Sequence, residues 1–93
     1  MEGFLFLAME SEFVTYVLYS KAYDKIYIGC TSQLIQRFYS HNSLSKKGYT
    51  KRYRPWMVIF VQFFETKKEA MKREKELKSS RGRTFIREFL LKQ

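Results

Sequence analysis

Tyrosine, arginine, histidine and glutamate recur along this chain where they could meet around one phosphodiester. Arg37 and His41 stand four residues apart, so a helix puts both on one face. Just upstream, Tyr27-Ile28-Gly29 ends a short apolar run, and Tyr16 lies in the run before it. A guanidinium suits phosphate because its planar fork bonds two oxygens at once. An imidazole can move a proton near neutral pH. A phenol titrates near about 10 and acts as a base only where cations or a metal ion lower that value.

The carboxylate of the set is Glu74. At about 100° per residue, Ala70, Met71 and Leu77 define the apolar side of a helix over Lys67 to Lys78, and Glu74 falls inside that arc. Glu69, Lys72, Lys75 and Glu76 fall outside it. An inward carboxylate is costly unless a charge meets it. Two partners suit it: a cation from another element, or a metal ion. Each member of the set also has a plainer role, as a solvated arginine, a packing histidine, a salt-bridged acid or a core tyrosine among the seven of this chain.

A second group lies in KKGYTKRYRPW, Lys46 to Trp56. Lys46, Lys47, Lys51, Arg52 and Arg54 alternate there with Tyr49, Tyr53 and Trp56. Cations engage phosphates and aromatic rings stack on bases, so these five cations are the candidate nucleic-acid contacts. Trp56 also suits the opening of a core strand. The cluster Arg81, Arg83 and Arg87 is a weaker candidate that fits a solvated face equally well.

The elements that must position these residues read as β-β-α-β-α-α. Phe13 to Ser20 is rich in β-branched and aromatic residues and predicts a strand. A turn over Lys21 to Lys25 leads to a second strand, Ile26 to Cys30, so the pair forms a hairpin. Thr31 and Ser32 are N-cap candidates for a helix running to about Asn42. Ser43 to Arg54 reads as irregular. Met57 to Phe64 is almost continuously apolar, which predicts a strand covered on both faces. Thr66 and Glu69 form a capping box for a helix to about Lys78. Ser79 to Arg83, with Gly82, reads as a break before a last helix over Thr84 to Leu91. The fold class is α+β: a small three-stranded antiparallel sheet flanked by helices. Residues 1–12 read as an N-terminal extension and residues 13–93 as a single domain.

Composition narrows the partners. Lysine and arginine total 18 against 9 acidic residues, a formal net charge of +9 on 93 residues, so the surface field favours polyanions, nucleic acid foremost. Cys30 is the only cysteine, which excludes an internal disulfide, and no Cys/His cluster offers a zinc site. Both points suit a reducing cytoplasm. Met1 to Ala8 is too short for a membrane span and lacks the pattern of a secretory signal.

Taken together, the residues resemble the GIY-YIG endonuclease superfamily, and its small stand-alone bacterial members most closely. Tyr27-Ile28-Gly29 is similar to the second signature triplet in full. YIGCTSQLIQRFYSHN has the family spacing from that triplet to its arginine and the polar position after it. RPWMVIFVQFF and KKEAMKREKELK resemble the later segments of the stand-alone branch. The resemblance implies catalytic roles for Tyr16, Tyr27, Arg37 and His41, and Glu74 as ligand of a single divalent metal, Mg2+ or another such as Mn2+. It implies metal-dependent hydrolysis of phosphodiester bonds in DNA with weak sequence specificity, and a protein partner as one source of specificity. Relatives act in repair, recombination, restriction and intron mobility. The alternative is a non-catalytic nucleic-acid-binding module on the same scaffold. The first triplet departs from the pattern, being Val14-Thr15-Tyr16. Cys30 stands where some branches have lysine, and no asparagine follows Glu74. Coming from strands and helices, the side chains are expected on one face of the sheet.

Overall fold

Two antiparallel strands, β1 (Phe13–Ser20) and β2 (Lys25–Thr31), form the expected hairpin, with Val17 opposite Ile28. Asp24 closes its turn at a φ of 53°, in the left-handed region that aspartate tolerates better than most residues. Its carboxylate accepts from the Tyr19 hydroxyl at 2.9 Å and pairs with Arg87 at 2.5 Å, which ties the turn to the last helix. Strand β3 (Met57–Phe64) pairs antiparallel with the other side of β1, so the sheet order is β2-β1-β3. The computed structural model describes residues 13–44 and 48–92. The expected extension, residues 1–12, lies outside them, as do Lys46 and Lys47.

Helices cover both faces of the sheet. Thr15 and Val17 face α3 (Lys67–Lys78) and α4 (Ser80–Leu91): the Thr15 hydroxyl donates to the Ala70 carbonyl at 2.6 Å, and Val17 packs with Leu77 and Ile86. Tyr16 and Leu18 face the other way, toward Leu34 and Phe38 of α1 (Leu34–Tyr39) and toward Trp56. Such two-sided burial accounts for the uniformly buried run Val14 to Leu18.

Several boundaries differ from expectation for physical reasons. The apolar run of β3 predicts a strand covered on both faces, yet β3 is an edge with Met57 and Val58 exposed, and β1 is the covered strand. Composition alone could not report which strand the helices cover. Gln33, and neither Thr31 nor Ser32, precedes α1, because the Thr31 hydroxyl instead accepts from the Gln33 N–H at 3.0 Å in a local turn. The α-helix stops at Tyr39 and widens into a π-type turn over Ser40–Leu44. The segment read as irregular holds a short helix, α2 (Gly48–Arg52). Thr66 caps α3 as expected, accepting from the Glu69 N–H at 3.2 Å. Gly82 does not break the chain: Ser79 caps α4, which starts at Ser80 and carries Gly82 inside it. A Cβ there would lie 2.2 Å from the Glu76 carbonyl oxygen and 2.4 Å from the Leu77 Cα, so glycine is what lets α4 pass against the end of α3.

Candidate active site

The site starts at the hairpin. Tyr27 pairs with Leu18 and Gly29 pairs with Tyr16, so both tyrosines project from the same face of the sheet. Their ring centroids are 6.3 Å apart with planes 28° from parallel. Gly29 makes this possible. A Cβ on it would sit 2.6 Å from the Tyr16 phenol oxygen, so only glycine lets that phenol lie across β2.

The π-type turn after α1 delivers His41 to the pair. Its Nε2 lies 2.9 Å from the Tyr16 phenol oxygen, and its ring centroid is 4.5 Å from that of Tyr27. His41 Nδ1 has no hydrogen-bond partner among the described residues. The tautomer sets the direction of the bond: Nε2–H donates to the phenol oxygen, or the Tyr16 O–H donates to Nε2. Burial first, then the nearby charges of Arg37 and Arg54, holds the His41 pKa below its ordinary value. Burial, joined by Tyr27, pushes the Tyr16 phenol well above its ordinary value; Arg37 opposes this, and Glu74 and Cys30 add to it. Tyr16 is only 1% exposed, so these effects keep it a neutral phenol.

Arg37 and Glu74 approach from the two rims. Arg37 is exposed, has no ion pair among the described residues, and lines a hollow of about 340 Å³ with Thr31, Gln33 and Ser40. Glu74 is half-buried, and its partner is not an arginine. Its Oε2 accepts from Lys78 at 2.6 Å, one turn along the same helix, and it accepts a hydrogen bond from the Cys30 thiol. Burial raises the Glu74 carboxyl, but the Cys30 and Lys78 hydrogen bonds and the Lys78 charge outweigh it, and the net shift is downward. Burial, with the bond to Glu74, pushes Cys30 up to about 11, so it stays a thiol.

A site confined to one face of the sheet needs correcting. Cys30 pairs with Thr15 and shares the α3 face, so Glu74 arrives from the side opposite the tyrosines. Both sides border β2, an edge strand with no neighbouring strand on its outer side among the described residues.

The residues that hold His41 in place carry no spacing signal. Arg54 Nε donates to the His41 carbonyl at 2.6 Å and its Nη2 to the Ser40 carbonyl at 3.4 Å. Asn42 and Trp56 bond reciprocally: the Trp56 N–H donates to Asn42 Oδ1 at 2.6 Å, and Asn42 Nδ2 donates to the Trp56 carbonyl at 3.0 Å. The indole N–H donates to the Thr50 carbonyl at 2.8 Å. Arg54, expected to meet nucleic acid, is therefore a clamp on the turn that carries His41. Trp56 is buried and belongs to the core. Lys51 and Arg52 are exposed on α2, with the Arg52 guanidinium 5.6 Å from the Tyr53 ring centroid. Met71, expected on the apolar side of α3, is exposed.

The fold and the side chains it gathers define a small α+β domain of nuclease type. The chain belongs to the GIY-YIG family: the profile of the GIY-YIG catalytic domain matches residues 12–86. Nucleases of this family act on nucleic acid, in keeping with the net charge of +9. Among curated proteins the chain is 37% identical over 78 residues to a UPF0213 protein of Staphylococcus haemolyticus, covering 83% of this chain and 89% of that one. A UPF0213 protein of Staphylococcus saprophyticus is 36% identical with the same coverage. One of Staphylococcus aureus is 37% identical over 71 residues, covering 76% of this chain and 84% of the relative. No helix among the described residues is long and apolar enough to cross a membrane.

The family implies a divalent metal, and the donor set is compatible with magnesium. The described residues contain no group of three or more His, Cys, Asp or Glu side chains able to cage an ion. Magnesium does not need one. It commonly takes one or two carboxylates, keeps several waters, and completes its shell with substrate phosphate oxygens. Glu74, whose carboxyl pKa is held down, is a hard oxygen donor of the kind such an ion could take.

Proposed function

We propose that this protein is a divalent-metal-dependent endonuclease that hydrolyses phosphodiester bonds in DNA with weak sequence specificity. The observation that carries the reading is the meeting of Tyr16, Tyr27 and His41 in direct contact, with the charges of Arg37 and Glu74 both acting on Tyr16. A binding surface alone has little use for an ionised, half-buried carboxylate whose charge reaches Tyr16.

Water attacks phosphorus in line. Arg37, exposed and without an ion-pair partner among the described residues, binds a non-bridging oxygen and stabilises the charge that builds there. Tyr27, half-buried at the rim, orients the attacking water through its hydroxyl. Tyr16 is too buried for that role and stays a neutral phenol. His41 fixes the Tyr16 hydroxyl by hydrogen bonding. Glu74 would hold the metal, Mg2+ or Mn2+, whose chemistry is to offset charge on the leaving and non-bridging oxygens. The products carry a 5′-phosphate and a 3′-hydroxyl.

One observation favours a second reading, a non-catalytic nucleic-acid-binding module. Lys78 already neutralises Glu74 at 2.6 Å. A module of that kind binds in a salt-sensitive way and never cleaves. A nicking assay on duplex, branched and single-stranded DNA, in magnesium and in EDTA, separates the two. Cleavage in magnesium alone supports the nuclease; salt-sensitive binding without cleavage supports the module. A protein partner supplying substrate choice, and a role in DNA repair in the cytoplasm, belong to the same proposal.

A further inference from the structure

Beside Tyr27 a cleft of about 280 Å³ opens along the free side of β2, lined by Ile26, Tyr27, Ile28, Tyr49, Lys78 and Arg83. Three independent features mark it as a built site. The Tyr49 ring is fixed: its hydroxyl donates to the Ile26 carbonyl at 3.0 Å, and one face stacks on Trp56 at 5.9 Å between centroids and 24° between planes. Tyr53 packs edge-on to it at 5.1 Å and Tyr27 lies at 6.4 Å, yet Tyr49 is 46% exposed, so part of the ring stays open to the cleft. Opposite it, Arg83 is anchored through Nε to the Lys78 carbonyl at 3.2 Å and has no ion pair among the described residues. Lys78 stands at the join, lining the cleft while its ammonium contacts Glu74. A second hollow shares Lys78 and Arg83 and continues along α4 past Arg87. A fixed, partly exposed aromatic ring lining one cleft with two cations matches the way unpaired nucleotides are held, with the base stacked and the phosphate ion-paired.

We propose that this cleft is a subsite for one unpaired nucleotide next to the scissile phosphate, its base stacked on Tyr49 and its phosphate held by Arg83 and Lys78. The subsite deepens the nuclease reading and rests on it for the position of the scissile bond. The substrate class this selects is single-stranded or locally unpaired DNA.

The test measures binding without cleavage. A labelled oligothymidine and a hairpin duplex of equal length are titrated in EDTA with the wild type, Tyr49→Leu, Tyr49→Phe and Arg83→Gln, each checked for an intact thermal transition. Tyr49→Leu weakens single-strand binding by about tenfold, the size of one lost stacking platform. Tyr49→Phe keeps the ring and stays within about twofold of wild type. Arg83→Gln weakens binding and lowers the salt slope by about 0.7, one phosphate contact on a single strand. Duplex binding changes little. Unchanged single-strand affinity in Arg83→Gln and in whichever Tyr49 variants fold, or equal losses on duplex, overturns the subsite. If the wild type never cleaves but the variants lose binding as stated, the subsite stands and the nuclease reading falls. If the wild type cleaves while the variants bind and cleave like it, the reverse holds.

Discussion

Replacing Gly29 with alanine tests how the hairpin makes room for chemistry. The new Cβ would lie 2.6 Å from the Tyr16 phenol oxygen and 2.8 Å from its ring carbon Cζ, well inside van der Waals contact. A mobile surface side chain would move aside cheaply. Tyr16 is 1% exposed, so its ring has nowhere to go without displacing its neighbours. Overpacking of this kind costs about 1–3 kcal/mol. Swinging the phenol away from His41 Nε2, now at 2.9 Å, forfeits a buried hydrogen bond of about 1 kcal/mol. For a domain of this size the sum lowers the melting temperature by at least about 8 °C. Gly48→Ala is the control. Nothing lies within 4 Å of a Cβ there, and the position opens α2, so stability is unchanged or raised by up to about 1 kcal/mol. Thermal denaturation and a cleavage assay on both variants read the outcome. A Gly29→Ala protein that melts and cleaves like wild type would refute the account of why a glycine faces Tyr16.

Other perturbations follow from the same geometry. Gly82→Ala meets backbone rather than side chain, with the Glu76 oxygen 2.2 Å away, so it costs about 3 kcal/mol or more; a melting temperature near wild type contradicts the tight α3–α4 crossing. Arg54→Ala removes the donor to the His41 carbonyl and costs about 1.5–3 kcal/mol, with a matching loss of cleavage; stability and cleavage near wild type would remove its role as a clamp. His41 sets an acid limit. Burial, then Arg37 and Arg54, holds its folded-state pKa below 6.5, so as pH falls the unfolded chain takes up that proton first. Its contribution is intact above about pH 6.5 and is lost as pH drops toward the folded-state value. His41→Gln flattens that part of the melting-temperature profile; equal slopes for both proteins on the acid side contradict the assignment.

Much of the fold could be read from the chain because its signals are local. Strand composition marked β1 and β2, a capping box marked the start of α3, and helical spacing turned Glu74 inward before any partner for it was known. The family signature drew Tyr16, Tyr27, Arg37, His41 and Glu74 into one group. What stayed hidden depends on tertiary placement. Met57 to Phe64 is apolar enough for a central strand, but the order of pairing made it an edge. Gly82 resembles a break because glycine usually ends helices, whereas here a close crossing demands it. Arg54 has the composition of a phosphate contact and the geometry of a clamp, and nothing short of the Ser40 and His41 carbonyls reveals which. The pairing of Asn42 with Trp56 spans a loop and leaves no periodic trace. The division of the site between two faces follows from the register of Thr15 with Cys30, which composition does not encode.

The most direct test is the single-turnover rate of phosphodiester cleavage in magnesium for the wild type, Glu74→Gln and Arg37→Ala, with the product ends identified. Neither substitution threatens the fold: Arg37 is exposed, and Glu74→Gln keeps an oxygen to accept from Cys30 while forgoing a partly exposed ion pair worth at most about 1 kcal/mol. The wild type is expected to need the metal and to leave 5′-phosphate ends, and the variants to be slower by at least about a hundredfold with melting temperatures lowered by no more than about 8 °C. Folded variants that cut at the wild-type rate would contradict this expectation.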